Sequence, residues 1–276
     1  MSAVALYAAA GLALVGCTSP LEHAERIAQR SGLESVVLPG TVFSHRAFVR
    51  AHANDGLLVL IVDGDGRPWT RDGMRVAADP TPHVPLALKL AAETPYSVLY
   101  LGRPCYFGLQ RQAPCSARDW TSDRYAADIV ASMVAAADSY IQAHGVRRVL
   151  LVGYSGGGTL VTLMAPHMPR AVGVVTIAGN LDPDAWTQVH GYAPLNGLNP
   201  ALEPPFPKNV QEWHLIGDRD NNVPYIAAQR YLQRLPPDRI SRYVDFDHTC
   251  CWEAEWPAVL LRVHEELERR NFAREQ

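Results

Sequence analysis

Lysine is almost missing from this 276-residue chain: Lys89 and Lys208 are the only two, and arginine supplies the rest of the 25 basic residues. No basic tract occurs and the net charge is −3, so the composition offers no footprint for nucleic acid. The apolar run from Ala3 to Gly16 is 14 residues, short of the roughly 20 that span a bilayer as a helix. H-E-x-x-H and C-x-x-C are both absent, which removes the commonest zinc signatures. Asp63-Gly-Asp65 and Asp218-Arg-Asp220 each open like a calcium loop. The glycine and glutamate positions of such a loop fall on Pro68 and Met74 in the first, and on Val223 and Gln229 in the second. No metal and no cofactor is therefore expected. No internal repeat is found.

What the chain does have is 48% hydrophobic content, enough for one large α/β domain or two small ones. Val149-Leu150-Leu151-Val152 reads as a buried strand, and Thr159 to Met164 as the start of a buried helix. Between them lies Gly153-Tyr154-Ser155-Gly156-Gly157-Gly158. Thr159 stands where a phosphate loop needs lysine, so this is not a P-loop. Strand, tight turn and helix with Ser155 flanked by Gly153 and Gly157 is a G-x-S-x-G elbow. Side chains two residues either side of such a serine would collide, and only glycine is indifferent to that crowding.

Other buried strands are expected at 41–50, 57–62, 97–101, 172–178, 213–216 and 242–246, with helices at 21–30, 85–93, 123–144 and from 253 onward. Thr121 or Ser122 would cap the third of those helices. Strands alternating with helices call for a mostly parallel sheet covered on both faces. The proline-rich stretch 179–210, with Trp186, Tyr192 and Phe206, is expected to be an irregular lid or acyl-pocket wall.

An acid follows the strand at 213–216 in Gly217-Asp218-Arg219-Asp220-Asn221-Asn222-Val223-Pro224, and a histidine follows the last strand in Asp247-His248. Serine, acid and histidine in that order, each after a strand, resemble the α/β-hydrolase superfamily. The resemblance implies that fold, with Ser155 as nucleophile, His248 as base and Asp220 as the acid that orients it. Asp218 competes with Asp220, and His190 with His248. The loop Asp63-Gly64-Asp65-Gly66 stands where this superfamily carries its His-Gly oxyanion loop, with Asp63 in place of histidine. The backbone amide of Asp65, or of Gly64, would pair with that of Gly156. The blocks Leu101-Gly102-Arg103-Pro104-Cys105, Asp119-Trp120-Thr121, Gly179-Asn180-Leu181-Asp182 and His248-Thr249-Cys250-Cys251-Trp252 further resemble a group of bacterial α/β-hydrolase-like proteins.

The resemblance implies a serine hydrolase acting on a small ester or acyl substrate, with peptidase, lipase and thioesterase chemistry using the same three residues. A non-catalytic binding module on the same fold is the competing expectation. At the N-terminus, Leu14-Val15-Gly16-Cys17 resembles the lipobox of bacterial lipoprotein precursors, although no Lys or Arg precedes the apolar run. This implies a signal peptide over 1–16, a lipid on Cys17, membrane association through that lipid and a place in the cell envelope. A tether with a short helix over 17–40 and the hydrolase domain over 41–276 complete the expected organisation. Four further cysteines, Cys105, Cys115, Cys250 and Cys251, suit disulfides in an exported chain, with three possible pairings. Cys105 with Cys115 is the nearest loop-closing pair; Cys250 and Cys251 either bridge as neighbours or stay thiols.

Overall fold

The computed structural model describes residues 18–52 and 56–275; Cys17 and the expected signal peptide lie outside them. Eight strands form one sheet: β1 (Glu34–Pro39), β2 (Ser44–Arg50), β3 (Leu57–Val62), β4 (Ser97–Leu101), β5 (Arg148–Tyr154), β6 (Ala171–Ile177), β7 (Gln211–Gly217) and β8 (Ile240–Tyr243). Their order across the sheet is β1-β2-β4-β3-β5-β6-β7-β8. β1 and β2 pair antiparallel, β2 runs antiparallel to β4, and every later pair is parallel. β3, Leu-Leu-Val-Leu-Ile-Val, is buried at all six positions, as a strand covered on both faces must be.

The helices are α1 (Pro20–Arg30), α2 (Leu86–Glu93), α3 (Ala127–Ala143), α4 (Gly156–Met164), α5 (Pro183–His190), α6 (Tyr225–Leu232) and α7 (Trp252–Glu275). α1 opens with a capping box in which Ser19 and Glu22 bond each other's backbone amides. α3 begins at Ala127, with Ala126 at its cap, rather than at Asp123 behind Thr121 or Ser122. Asp123 is instead engaged by Arg118, Ser122 and Asn196.

Other elements depart from expectation as well, among them α6, which the sequence reading did not assign. The 17–40 stretch holds α1 but also β1, so the sheet starts at Glu34. The last strand ends at Tyr243, because Val244 is 69% exposed and Phe246 turns back onto Tyr243 and Trp252. The covering stretch 179–210 is less irregular than its prolines suggest. It contains α5 and a 3₁₀ turn at Pro200–Leu202, and fully buried Asp182 fastens it to α6 through two bonds from Arg230 at 2.6 Å.

One buried polar contact ties the antiparallel end of the sheet to its helix layer. His45 of β2 is fully buried between the Gly102 carbonyl (3.1 Å) and the Ser132 hydroxyl of α3 (2.9 Å). Burial pushes its imidazole down from 6.5 to about 4. Between those values the unfolded chain binds the proton that the folded chain refuses. This contribution to stability is complete above pH 6.5 and is lost as the pH falls toward 4, by on the order of 3 kcal/mol. Urea titrations across that window should show a shallower pH slope for His45→Gln; an unchanged slope would assign the acid lability to other groups.

Candidate active site

The turn from β5 into α4 is a single residue, Ser155, with φ 52° and ψ −123°. A non-glycine residue in that region costs on the order of 1–3 kcal/mol, and the surroundings enforce it. A Cβ on Gly153 would lie 2.4 Å from the Gly157 carbonyl oxygen, and one on Gly157 would lie 2.2 Å from that of Val62. The backbone groups of Ser155 are used as well. Its amide donates to the Ile177 carbonyl at 3.0 Å, and its carbonyl accepts from the amides of Gly158 (2.9 Å) and Asn180 (3.0 Å). Ser155 thus presents Oγ at the carboxyl edge of the sheet on a scaffold made by β3, β5 and β6.

The structure brings the sequence-selected serine, histidine and acid together. His248 Nε2 lies 3.0 Å from Ser155 Oγ, and its Nδ1 lies 2.7 Å from Asp220 Oδ2. Asp220, 3% exposed, has its other oxygen fixed by the amides of Asn222 and Val223, both at 2.8 Å. Asp218 points elsewhere and pairs with Arg242. His190 bonds the Asn222 carbonyl and stacks on Tyr192. The backbone of His248 is held by the Tyr154 hydroxyl (3.0 Å) and the Trp252 indole N–H (3.1 Å), which both donate to its carbonyl. Cys250 and Cys251 are paired with each other two residues on, and Cys105 is paired with Cys115.

The loop after β3 packs directly on Ser155: a Cβ on Gly64 would stand 3.0 Å from the serine Cβ. The Gly64 amide, one of the expected oxyanion donors, is occupied by the Asp63 carboxylate at 2.8 Å. Of the two amides expected from this loop, that of Asp65 is the one the Asp63 carboxylate does not claim. The amide of Gly156 is the first of α4, so no carbonyl one turn earlier claims it.

Sequence reasoning missed how Asp65 is held. Its carboxylate accepts from Arg103, from Arg124 (2.9 Å) and from the Tyr125 hydroxyl (2.9 Å), while its carbonyl accepts from the Tyr106 hydroxyl at 2.8 Å. All four donors are at least 95% buried. Burial alone would raise the Asp65 carboxyl, but Arg124 and Arg103 hold it at about 2. Its neighbour Asp63 is lifted by burial to about 6, against the bonds from Gly64 and Tyr100 and the attraction of Arg103. The only sequence signal for the clamp was the block carrying Arg103.

Ser155 and His248 open into a cavity of about 980 Å³. Its lining includes Trp186, Tyr192, Leu195 and Val223 from the later part of the chain, and Pro68, Trp69, Pro82 and Val84 from the earlier part. Phe206, expected with the first group, packs against the main core instead. Among the described residues no cluster of three or more His, Cys, Asp or Glu is arranged to hold a metal ion.

No protein-family model and no curated protein matches the chain. Among solved structures, an esterase from Pyrococcus furiosus superposes with a TM-score of 0.58 at 14% identity, over 93% of this chain and 95% of its own. An α/β serine hydrolase without a lid from Xanthomonas campestris gives 0.52 at 14% identity, over 83% of this chain and 94% of its own. A membrane phospholipase A gives 0.50 at 16% identity, over 83% of each chain. What the chain shares with them at such identities is architecture, and its mostly parallel eight-stranded sheet has the α/β-hydrolase fold.

Proposed function

We propose that the protein is a serine hydrolase that cleaves carboxylic esters through an acyl-enzyme on Ser155. The observation that carries this reading is the unbroken chain Ser155–His248–Asp220, opening into a cavity with aromatic and aliphatic walls. A binding module has no need of a strained serine bonded to a histidine whose far nitrogen meets a buried carboxylate. Fold neighbours named as an esterase and a phospholipase A are consistent with an ester substrate.

In this mechanism His248 Nε2 takes the Ser155 proton as Oγ adds to the ester carbonyl. Asp220 holds Nδ1–H and stabilises the imidazolium. The amides of Asp65 and Gly156 receive the oxyanion, each worth on the order of 3 kcal/mol in the transition state. Collapse of the tetrahedral intermediate breaks the carbonyl–alkoxy bond, and the imidazolium proton goes to the leaving alcohol. Water, deprotonated by the same nitrogen, then releases the acid and restores Ser155.

The proposal extends to the cell envelope, with export directed by residues 1–16 and a lipid on Cys17. The pairings Cys105–Cys115 and Cys250–Cys251 support an oxidising compartment.

A fluorescent fluorophosphonate should label the purified protein, and Ser155→Ala should abolish the labelling; equal labelling of the variant would overturn the assignment. On p-nitrophenyl esters, Asp220→Asn is expected to lower kcat by about 10³- to 10⁴-fold, as loss of the orienting acid does in other serine hydrolases. Tyr106→Phe frees the Asp65 carbonyl without touching substrate. Its expected signature is kcat lowered about tenfold with KM within about twofold, the cost of a displaced oxyanion donor. A change confined to KM would mean that Tyr106 shapes the cavity and not the amide.

A further inference from the structure

The rim of the cavity carries a feature that ester chemistry does not require. Residues 67–77 form a small hairpin closed by a Trp69–Val76 bridge, with the Thr70 amide bonded to the Arg75 carbonyl (2.8 Å) and the Ala77 amide to the Pro68 carbonyl (2.9 Å). Asp72 turns inward, accepting from the Thr70 hydroxyl and from the Met74 amide. Gly73, at φ +70°, completes the reversal. The product is an ordered protrusion that offers its side chains to solvent: residues 71–76 are all exposed.

Those side chains are of two kinds. Met74 stands at the tip with 82% of its surface open, above Trp69 (45%) and Val76 (37%). Val84 and Tyr192, at 65% and 57%, continue the apolar edge around the mouth. Three of the thirteen exposed large hydrophobic side chains among the described residues, Trp69, Val84 and Tyr192, thus line one opening, and Met74 and Val76 belong to the hairpin that Trp69 and Gly73 join to it. Scattered exposed apolar residues are ordinary, but a cluster of them at one mouth marks a contact surface. Arg67, Arg71 and Arg75 lie in the same segment, and among the described residues none of them has an acidic partner. Three arginines against Asp72 give the hairpin a charge of +2, in a chain whose net charge is −3.

We infer that this hairpin docks the cavity mouth onto an anionic lipid surface. An apolar tip that enters the acyl boundary, a tryptophan at headgroup level and flanking arginines that meet phosphates are matched to each layer of such an interface. A protein partner would have to supply both a pocket for Met74 and separate carboxylates for two arginines. A bilayer supplies both everywhere. Pro68, Trp69 and Gly73 also line the cavity, so a lipid drawn up beside Met74 meets an apolar wall leading to Ser155. Binding stands on the hairpin alone. The further step, that the substrate is an ester resident in the bilayer, rests on the reading of Ser155 as nucleophile.

The test uses the chain from residue 18 onward, so that neither the apolar run at 3–16 nor a lipid at residue 17 contributes, with Ser155→Ala for the binding arm. It should co-sediment with vesicles of mixed phosphatidylcholine and phosphatidylglycerol and only weakly with phosphatidylcholine alone, and the difference should shrink as salt is raised. Arg71→Gln with Arg75→Gln should lower partitioning about 30-fold, at about fivefold per cation, and Met74→Asp about tenfold. Neither variant should shift the thermal unfolding midpoint. With Ser155 intact, Met74→Asp should leave hydrolysis of a dissolved short-chain ester within about twofold while hydrolysis of a vesicle-embedded ester falls with the partitioning. A parent chain that ignores anionic vesicles, or variants that bind them undiminished, would overturn the proposal. A dimer broken by Met74→Asp, with no vesicle binding, would assign the patch to a second copy. Vesicle binding without hydrolysis of any ester would leave the docking surface standing and remove the nucleophile.

Discussion

The backbone of Ser155 is the constraint on which the rest of the site depends. At φ 52° the chain leaves β5 and enters α4 with no spare residue, so α4 must pack within van der Waals contact of the neighbouring strand ends. Three consecutive close approaches result. Gly153 meets Gly157, Gly157 meets the end of β3, and a Cβ on Gly156 would stand 2.0 Å from the Asp65 carboxylate. The last of these falls on the second free position of the G-x-S-x-G pattern, and it explains why that position too is glycine. The turn and the loop after β3 are therefore one object: the side chain of Asp65 occupies the space that Gly156 leaves empty.

That space is filled by charge, which is costly to bury unless it is paired. One carboxylate against two guanidinium groups and the Tyr125 hydroxyl is well satisfied, the Tyr106 hydroxyl holds the carbonyl of the same residue, and the four donors come from three places. Arg103 follows β4, Tyr106 sits beside the bridged Cys105, and Arg124 and Tyr125 precede α3. The Cys105–Cys115 pairing closes the loop that carries Tyr106, reducing the freedom of the segment that grips the Asp65 carbonyl. A loop usually among the more mobile parts of a protein is here held by contacts typical of a core.

The parts of this arrangement that were readable in the sequence are those written locally. Ser155 and Asp220 each follow a run that ends in buried residues, while His248 follows β8, an edge strand with no buried position, and was legible from its place between the last strand and the final helix. The clamp was not readable, because its members lie 38 to 60 positions from Asp65 and only the sheet order brings them to it. β1 escaped for a different reason. It is an edge strand with an exposed–intermediate burial pattern and no continuous apolar run, which periodicity does not separate from a loop. α6 is eight residues long and starts directly behind Pro224, too short for its apolar spacing to stand out as a period. Asp65 could be favoured over Gly64 as a donor from sequence, but the reason appears only in the structure: Asp63, standing where histidine was expected, takes the Gly64 amide for itself.

The distribution of buried charge around the serine follows from the same geometry. Behind the loop after β3 lie Asp63, Asp65, Arg103 and Arg124, two carboxyl groups against two guanidinium groups, so the charge gathered there is balanced. Behind the imidazole lies Asp220, 3% exposed and bonded to Nδ1. Attack of Ser155 on a carbonyl would create an imidazolium beside Asp220, whose carboxylate has the sign that stabilises it. Because Asp220 is buried, its field acts at low effective dielectric and needs no reorganisation as charge develops. The oxyanion has no such fixed counter-charge and depends on backbone amides. The clamp on Asp65, which first looks like a structural solution to the crowding at Gly156, thus also fixes the backbone whose amide would receive the oxyanion in the proposed reaction.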